Sequence, residues 1–227
     1  MDFDADAFKA VVPERHSVRK YTGQPIAPDA ASALRDFLAA CSSESGLDMM
    51  LVEDDPSAFR KLKAKITGIS DVPAYIAIAG PADDPPLERA GYYGEAAVLL
   101  AQTLGLNTCW AMSCSPEHVN KLLPEGRRMI IGIAVGYGKD PGKPHKNKPL
   151  EKIADTDGMS VWFNKGIAAV MDAPTALNRQ AFRFSYEGGK VDAVNTGGRI
   201  NRIDLGIARF HFELGAGAER FEWAHPI

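Results

Sequence analysis

The spacing of apolar residues predicts several helices along the chain. The clearest runs from about 92 to 104, where apolar side chains recur every three or four residues and Gly105 ends the pattern. Similar spacing follows Pro28, a residue that suits the first turn of a helix, and recurs over 161–171 and 203–215. The shorter predicted helices span 4–12, 58–66 and 116–123.

Short unbroken apolar runs predict buried strands between these helices. The longest is 73–79, Pro-Ala-Tyr-Ile-Ala-Ile-Ala, and 129–135 is of the same kind. Near the C-terminus, 181–186 and 191–194 flank Glu187-Gly188-Gly189, a glycine turn typical of a β-hairpin. The remaining predicted strands span 47–52 and 108–112.

The order of these elements suggests an internal repeat. In the first part of the chain, a helix, a polar turn and a strand are followed by the helix at 91–105. In the second part, the same three elements are followed by the helix at 203–215. Residue identity between the two parts is low, so coincidence within an ordinary alternation of helices and strands is an equally open interpretation.

Composition narrows the class of protein. The chain has 227 residues, 45% hydrophobic, with a formal net charge of -3, which does not match the basic footprint of a nucleic-acid binder. Three cysteines without paired spacing argue against a disulfide framework and fit a reducing compartment. The acidic N-terminus is not that of a secretory signal, and no apolar run is long enough to cross a membrane, so we expect a soluble, cytoplasmic protein.

A basic segment near the N-terminus, residues 15–20 (the Arg15 strip), is a candidate anion site. Arg15, Ser17 and Arg19 alternate, so in an extended chain their side chains lie on one side. Guanidinium groups match the oxygens of a phosphate. The alternative is a solvated strand edge, which is the commoner meaning of a short basic run.

A second basic segment follows the predicted strand at 129–135. After Gly136-Tyr137-Gly138, residues 139–149 (the basic loop) carry several lysines and three prolines, which exclude a helix or a central strand. The loop could converge with the Arg15 strip on one anion, or it could serve only solubility.

Two further segments offer groups suited to a planar ligand. In 173–180, Thr175, Asn178 and Gln180 supply hydrogen-bond donors and acceptors, although such residues are also frequent in turns. In 105–113, a strand end could bring backbone N–H groups close to a ring, although Trp110 and Met112 could equally be core. Cys109 has no neighbouring histidine in sequence, and we interpret it as inert packing.

Several catalytic and binding motifs do not occur in the sequence. It contains no Gly-x-Gly-x-x-Gly fingerprint, no P-loop, no His-Glu-x-x-His pair, no Cys-x-x-Cys and no Gly-x-Ser-x-Gly elbow. The histidines are scattered, and we therefore expect no metal site.

Four motifs, in this order, resemble the FMN-dependent nitroreductase family and together span nearly the whole chain. The family's opening Arg-Arg/His-Ser-x-Arg-x-Tyr/Phe segment matches 15–21, and its Gly-x-x-x-Glu helix ending in Leu-Gly-Leu-x-Thr-Cys-Trp matches the chain up to Trp110. Its Gly-Tyr strand end, followed by basic residues and Pro-Leu-Glu, matches 136–151. Its Ala-Pro-Ser-x-x-Asn-x-Gln-Pro-Trp segment matches 173–182.

The last of these motifs stands in an unusual place. In most of the family it follows the first helix, where this chain has 41–46, and it reaches FMN from the other subunit of a homodimer. The resemblance therefore implies the branch with two fused half-units, 1–150 on the flavin phosphate side and 151–227 packed against it. It implies an α+β fold with a nitroreductase-like mixed sheet, helices on both faces and internal duplication as a single-chain pseudo-dimer. One FMN per chain and a monomer are expected.

The resemblance also assigns binding roles to individual residues. One set is expected to hold the phosphate and the polar edge of the flavin, with His16 contributing its backbone: Arg15, His16, Ser17, Arg19, Lys146 and Lys148. The second half is expected to contribute Pro174, Thr175, Ala176 and Asn178.

A third set lies where relatives place a backbone N–H at the flavin N5: Ala111, Met112 and Ser113. The family's Glu-Gly is replaced here by Met112-Ser113, so only a backbone role carries over. Its Gln-Pro-Trp has become Gln180-Ala181-Phe182, which puts that wall of the pocket in doubt.

The implied activity is hydride transfer from NAD(P)H, a transient reductant, through FMN to a small-molecule acceptor such as a nitroaromatic or a quinone. The cofactor would carry the chemistry, and we predict no catalytic residue. Two other functions stay open: a flavin-binding sensor or carrier without physiological turnover, and a phosphate- or nucleotide-binding module without flavin.

Overall fold

The computed structural model describes residues 2–53, 55, 57–59 and 67–227. Its helices are α1 (Ala5–Val11), α2 (Pro28–Ser45), α3 (Leu87–Thr103), α4 (Glu117–Asn120), α5 (Val161–Val170) and α6 (Asn201–Ala216). Its strands are β1 (Asp48–Val52), β2 (Ala74–Pro81), β3 (Asn107–Ala111), β4 (Arg127–Gly136), β5 (Phe182–Glu187), β6 (Lys190–Asn195) and β7 (Glu222–Trp223). The helix predicted over 58–66 lies mostly outside the described residues.

The chain divides into two compact units. Unit 1 comprises Met1–Phe3, Glu14–Pro86 and Ala97–Lys143, and unit 2 comprises Asp4–Pro13, Leu87–Ala96 and Pro144–Ile227. These units are defined by contacts within the folded chain. The boundary expected at residue 150 separates two fused half-units instead, and it stays a prediction.

Unit 1 is built around a four-stranded antiparallel sheet in the order β1-β2-β4-β3. Every residue of β2 except the last is buried, as expected for a strand of small and β-branched residues paired on both edges. The start of β3 pairs with the end of β4, Asn107 opposite Gly136. The segment that precedes β3 and the segment that follows β4 therefore meet the sheet at neighbouring points.

Unit 2 combines helices with a small mixed sheet in the order β5-β6-β7. Strands β5 and β6 form the predicted hairpin, whose Gly188 and Gly189 have φ of 58° and 84°, the left-handed geometry that a two-residue hairpin turn requires. Helices α5 and α6 pack closely, since a Cβ on Gly166 would lie 2.6 Å from the Phe212 ring. Phe212 in turn stacks on Phe184 of β5, with 5.2 Å between ring centroids.

The α+β class is confirmed, with two differences from the sequence expectations. Among the described strands, parallel pairing is confined to β6 and β7, so the larger sheet is antiparallel rather than mixed. Helix α3 begins at Leu87 instead of near 92, because the apolar face continues through Leu87 and Ala90, both buried, directly after the prolines that indicated a loop.

The described residues contain neither a membrane-spanning helix nor a cluster of metal-binding side chains. Within them, no helix combines the length and the apolar character needed to cross a bilayer. Within the same ranges, no three His, Cys, Asp or Glu side chains are grouped so that they could hold a metal ion.

Candidate functional site

The Arg15 strip lies beside β3 in unit 1. It is joined to the rest of the unit by single bridges rather than by a regular strand, the first of them Ser17 with Thr108 in parallel. The Val18 N–H donates to the Thr108 carbonyl at 3.0 Å, and the Val18 side chain is buried. Main-chain pairing with β3 therefore fixes the strip irrespective of the charged side chains that it carries.

The first part of the basic loop contacts the same strip. A Cβ on Gly142, whose φ is +75°, would lie 2.8 Å from the His16 Cβ, so only glycine fits this approach. The Lys139 N–H donates to the Lys20 carbonyl at 2.8 Å, and the Gly138 N–H donates to Asn107 Oδ1 at 2.9 Å. Within unit 1, residues 139–142 of the loop therefore contact the strip, while convergence of the loop's lysines with the strip on one anion stays a prediction.

The three charged or polar side chains of the strip differ in their surroundings. Arg15 is only 3% exposed, Ser17 is half-buried and Arg19 is exposed, so they are not one uniformly solvated edge. A buried guanidinium is rare outside a paired or ligand-binding setting. The burial of Arg15 therefore contradicts the solvated strand edge at this position, whereas the exposure of Arg19 agrees with it.

The thiol of Cys109, in β3, is affected by burial and by the positive charges of the strip. Burial raises the pKa of the Cys109 thiol, and the positive charges of Arg19 and Arg15 partly oppose that rise. The protonated, buried thiol is a poor nucleophile, which supports the interpretation of Cys109 as packing.

The residues after β3 form a tight turn. The Cys114 N–H donates to the Ala111 carbonyl at 3.2 Å, a bond that uses neither the Met112 N–H nor the Ser113 N–H. Ser113 Oγ lies 3.2 Å from Thr67 Oγ1. Met112 is 60% exposed, so the core interpretation of this side chain is wrong.

In unit 2, residues 175–180 (the Asn178 turn) adopt an unusual backbone. A single 3-10 turn spans Ala176–Asn178, and Leu177, Asn178 and Gln180 have φ of 53°, 54° and 41°. Positive φ is disfavoured for residues with a side chain, and such strain clusters where a binding geometry is maintained. Pro174, directly before the turn, is buried.

Hydrogen bonds join this turn to the second part of the basic loop. Asn178 Nδ2 donates to the Lys146 carbonyl at 2.6 Å. Gln180 Nε2 donates to the same carbonyl at 3.0 Å, and the Lys148 N–H donates to Gln180 Oε1 at 2.9 Å. In unit 2, the stretch of the basic loop that carries Lys146 and Lys148 is therefore bonded to the Asn178 turn, a contact that sequence reasoning did not predict.

Helix α6 holds the Asn178 turn through hydrogen bonds of its first residues. The Ala176 N–H donates to Asp204 Oδ1 at 2.9 Å, and Asn201 Nδ2 donates to Asp204 Oδ2 at 2.8 Å. Burial raises the pKa of the Asp204 carboxyl, opposed by its hydrogen bonds and by the charge of Arg179. Sequence reasoning missed Asp204 and Asn201, although an acid in the first turn of a helix is a usable signal.

The structure thus groups the thirteen predicted residues in two sets. Unit 1 holds Arg15, His16, Ser17, Arg19, Ala111, Met112 and Ser113. Unit 2 holds Lys146, Lys148, Pro174, Thr175, Ala176 and Asn178. Their shared use of one ligand stays a prediction.

Comparisons with known proteins place the chain among its relatives. A family model described as "Putative TM nitroreductase" matches residues 7–216. A solved structure from Thermotoga maritima described as a "putative nitroreductase" is 24% identical, covering 94% of this chain and 84% of that one, with a TM-score of 0.67. A search of curated proteins gives no match.

Two shorter solved structures share the fold. One, a "putative nitroreductase" from Exiguobacterium sibiricum in complex with FMN, is 15% identical over 68% of this chain and 98% of that one, with a TM-score of 0.54. The other, a nitroreductase family protein from Streptococcus pneumoniae, is 14% identical over 65% of this chain and 98% of that one, with a TM-score of 0.53.

Proposed function

The chain belongs to the nitroreductase family, and from this premise we propose that it is an FMN-dependent oxidoreductase. It would pass a hydride from NAD(P)H through the flavin to a nitroaromatic, a quinone or a similar small acceptor. The observation that carries the proposal is the family match over 7–216, a span that contains every residue predicted to bind the cofactor.

The side chains present fit an FMN. The phosphate is an anion that guanidinium and hydroxyl groups bind well, and Arg15, Ser17 and Arg19 offer these from one main-chain-paired strip. The second N–H of the Asn178 amide, whose first donates to the Lys146 carbonyl, is a neutral donor proposed for the flavin ring edge. The backbone N–H groups of Met112 and Ser113, which the hydrogen bond of their turn does not use, are the others. The Exiguobacterium protein of the same fold was solved with FMN, which agrees with this assignment.

The flavin, when bound, supplies a ring that accepts and returns a hydride. The chain's own contribution is binding and orientation. The Arg15 guanidinium, held in a buried position, would neutralise phosphate charge without the freedom of an exposed side chain. The turn after β3 would present a backbone N–H, which no substitution other than proline removes.

We also propose that the two parts of the chain descend from one half-unit, 1–150 and 151–227, and that the chain acts as a monomer with one FMN. In support, α2, β1, β2, α3 and β3 share with α5, β5, β6, α6 and β7 the order of helix, antiparallel strand pair, helix and strand. Between the two sets lie α4 and β4, which have no counterpart among the described elements of the second set. In this proposal one flavin uses the residue sets of both units. The reducing cytoplasm is the proposed compartment, since the described structure joins none of the three cysteines in a disulfide.

The purified chain tests the proposal directly. We expect a yellow protein that keeps its colour on desalting, contains one flavin per chain and bleaches with NAD(P)H without oxygen. Colour that NAD(P)H never bleaches would replace the enzyme by a flavin carrier. A colourless protein that cannot be reconstituted with FMN would overturn both flavin functions and leave a phosphate-binding module.

A further inference from the structure

Gln180 is the most highly connected polar side chain of the Asn178 turn. It is only 4% exposed, and both the nitrogen and the oxygen of its side-chain amide are engaged. Its Nε2 donates to the Lys146 carbonyl at 3.0 Å and to Asn178 Oδ1 at 2.7 Å, while its Oε1 accepts from the Lys148 N–H at 2.9 Å. One side chain therefore bonds to both segments predicted to bind the cofactor in unit 2.

The main chain of Gln180 is bonded as well. Its N–H donates to Thr175 Oγ1 at 3.1 Å, and its carbonyl accepts from Lys148 Nζ at 3.2 Å. Its own φ of 41° is strained, and so are those of Leu177 and Asn178. A backbone of this kind persists only where surrounding bonds hold it, and Gln180 takes part in five of those bonds.

The two lysines of the basic loop differ in what their ammonium groups do. The Lys148 ammonium is turned to the Gln180 carbonyl. The Lys146 carbonyl accepts from Asn178 and Gln180, so its main chain is fixed while its side chain is exposed. Among the described residues, none forms a hydrogen bond or ion pair with the Lys146 ammonium.

We propose that Gln180 is a positioning residue that holds Lys146 and Asn178 in their binding geometry, and that Lys146, rather than Lys148, supplies the ammonium for the flavin phosphate. The inference rests on the proposed function and sharpens it, because it separates two lysines that the sequence treats alike. Gln180 itself would touch no cofactor atom, since it is buried and both N–H groups of its amide donate within the protein, whereas Asn178 is exposed.

Two substitutions separate the bonds that Gln180 makes. Gln180→Glu keeps an acceptor for the Lys148 N–H but places an oxygen against the Lys146 carbonyl and Asn178 Oδ1, where the donor stood. Gln180→Met keeps the approximate side-chain volume and removes both the donor and the acceptor of the amide. Gln24→Glu, at an exposed glutamine of unit 1, is the control for the change in charge.

The first measurement is made on the protein without flavin. Amide hydrogen exchange should speed up at Lys148 in Gln180→Met, which has lost the acceptor of that N–H, and stay slower there in Gln180→Glu. Unchanged exchange at Lys148 in Gln180→Met would show that the bond does not hold the loop, and the inference would be wrong.

The second measurement is the FMN dissociation constant, read by flavin fluorescence well below each variant's melting temperature. We expect it to rise about tenfold or more in both Gln180 variants, the effect of losing a well-placed hydrogen bond, and not in Gln24→Glu. Turnover at saturating FMN should change far less than affinity. A Gln180 with only a structural role would lower the melting temperature and leave the dissociation constant unchanged.

The lysines give the last arm. Lys146→Ala should weaken FMN binding about tenfold, whereas Lys148→Ala should weaken it less and should speed up exchange in the basic loop. The reverse order would overturn the assignment of the phosphate to Lys146. If the unaltered chain binds no FMN, the proposed function fails; if it binds FMN and the Gln180 variants bind it equally well, only this inference fails.

Discussion

The Arg15 strip and the Asn178 turn are predicted to bind one cofactor, but different bonds hold them in place. The strip is held by main-chain pairing, Val18 to Thr108 and Tyr21 to Ser70. The turn is held largely by side chains, chiefly Gln180 and Asp204. Main-chain bonds do not depend on side-chain identity, so the strip should keep its backbone conformation when a cofactor-binding side chain is replaced. The conformation of the turn depends instead on a few buried polar side chains.

The largest expected effect breaks the support of the turn through helix α6. A Cβ on Gly206 would lie 1.9 Å from the Glu88 carbonyl of α3, so Gly206→Ala forces the two helices apart. We expect a loss of about 3 kcal/mol in the free energy of unfolding, measured by chemical denaturation. The matched control is Gly198→Ala, where an added Cβ meets nothing within 4 Å. Equal stability of the two variants would disprove the close helix contact.

The next effect concerns binding at the strip. Arg15→Ala should raise the FMN dissociation constant by a factor of about 10 to 100, since a hydrogen bond to a charged group contributes about 1.5 to 3 kcal/mol. The fold of the strip should survive, because its bridges are made by main chain. Titration calorimetry gives the constant, and Lys20→Ala, an exposed cation of the same strip, is the control.

A double variant extends this test to both regions. Arg15→Ala combined with Lys146→Ala should lose less affinity than the sum of the single changes if both groups hold one phosphate, because groups that share a ligand couple. Strict additivity would instead assign them to separate anions and weaken the proposal of one flavin for both units.

The same contrast explains what the sequence could predict. The strip was predictable because its alternation of charge, its neighbouring strand and its glycine-rich loop are local patterns, and the buried runs of β2 and β4 placed the sheet around it. The Asn178 turn was predictable as a motif only. The bonds that join it to the basic loop and to α6 connect residues 28 to 34 positions apart, such as Ala176 with Asp204 and Lys146 with Gln180. A bond over such a separation leaves no periodicity in the sequence.

A smaller effect is expected at Asp204, where it depends on pH. Burial raises the pKa of this carboxyl, so the folded state holds its proton more tightly than the unfolded state. The stability that this proton contributes is present below the ordinary pKa of 3.8 and is lost as pH rises through the raised value.

Asp204→Asn removes that titration together with one acceptor. We expect the variant to be about 1 kcal/mol less stable below pH 4, from the lost hydrogen bond, and the gap to narrow as pH rises. Thermal unfolding across pH 3 to 7 measures it. A gap that widens with pH would mean that the carboxylate is stabilised in the fold, against the direction given by its burial. Asp192→Asn, at a half-buried acid of β6, is a comparison variant.

The smallest effect tests whether the turn is strained for the sake of binding. Leu177 is 86% exposed with φ of 53° and ψ of 26°, a backbone that asparagine adopts more readily than leucine. Leu177→Asn should therefore raise the free energy of unfolding by about 0.5 kcal/mol, although it removes an apolar side chain. Leu122→Asn, at a leucine 61% exposed but without positive φ, should give no gain. Equal changes in the two variants would show that the left-handed backbone at Leu177 stores no strain. The hydrogen bonds of the Asn178 turn would then not be needed to hold a strained conformation.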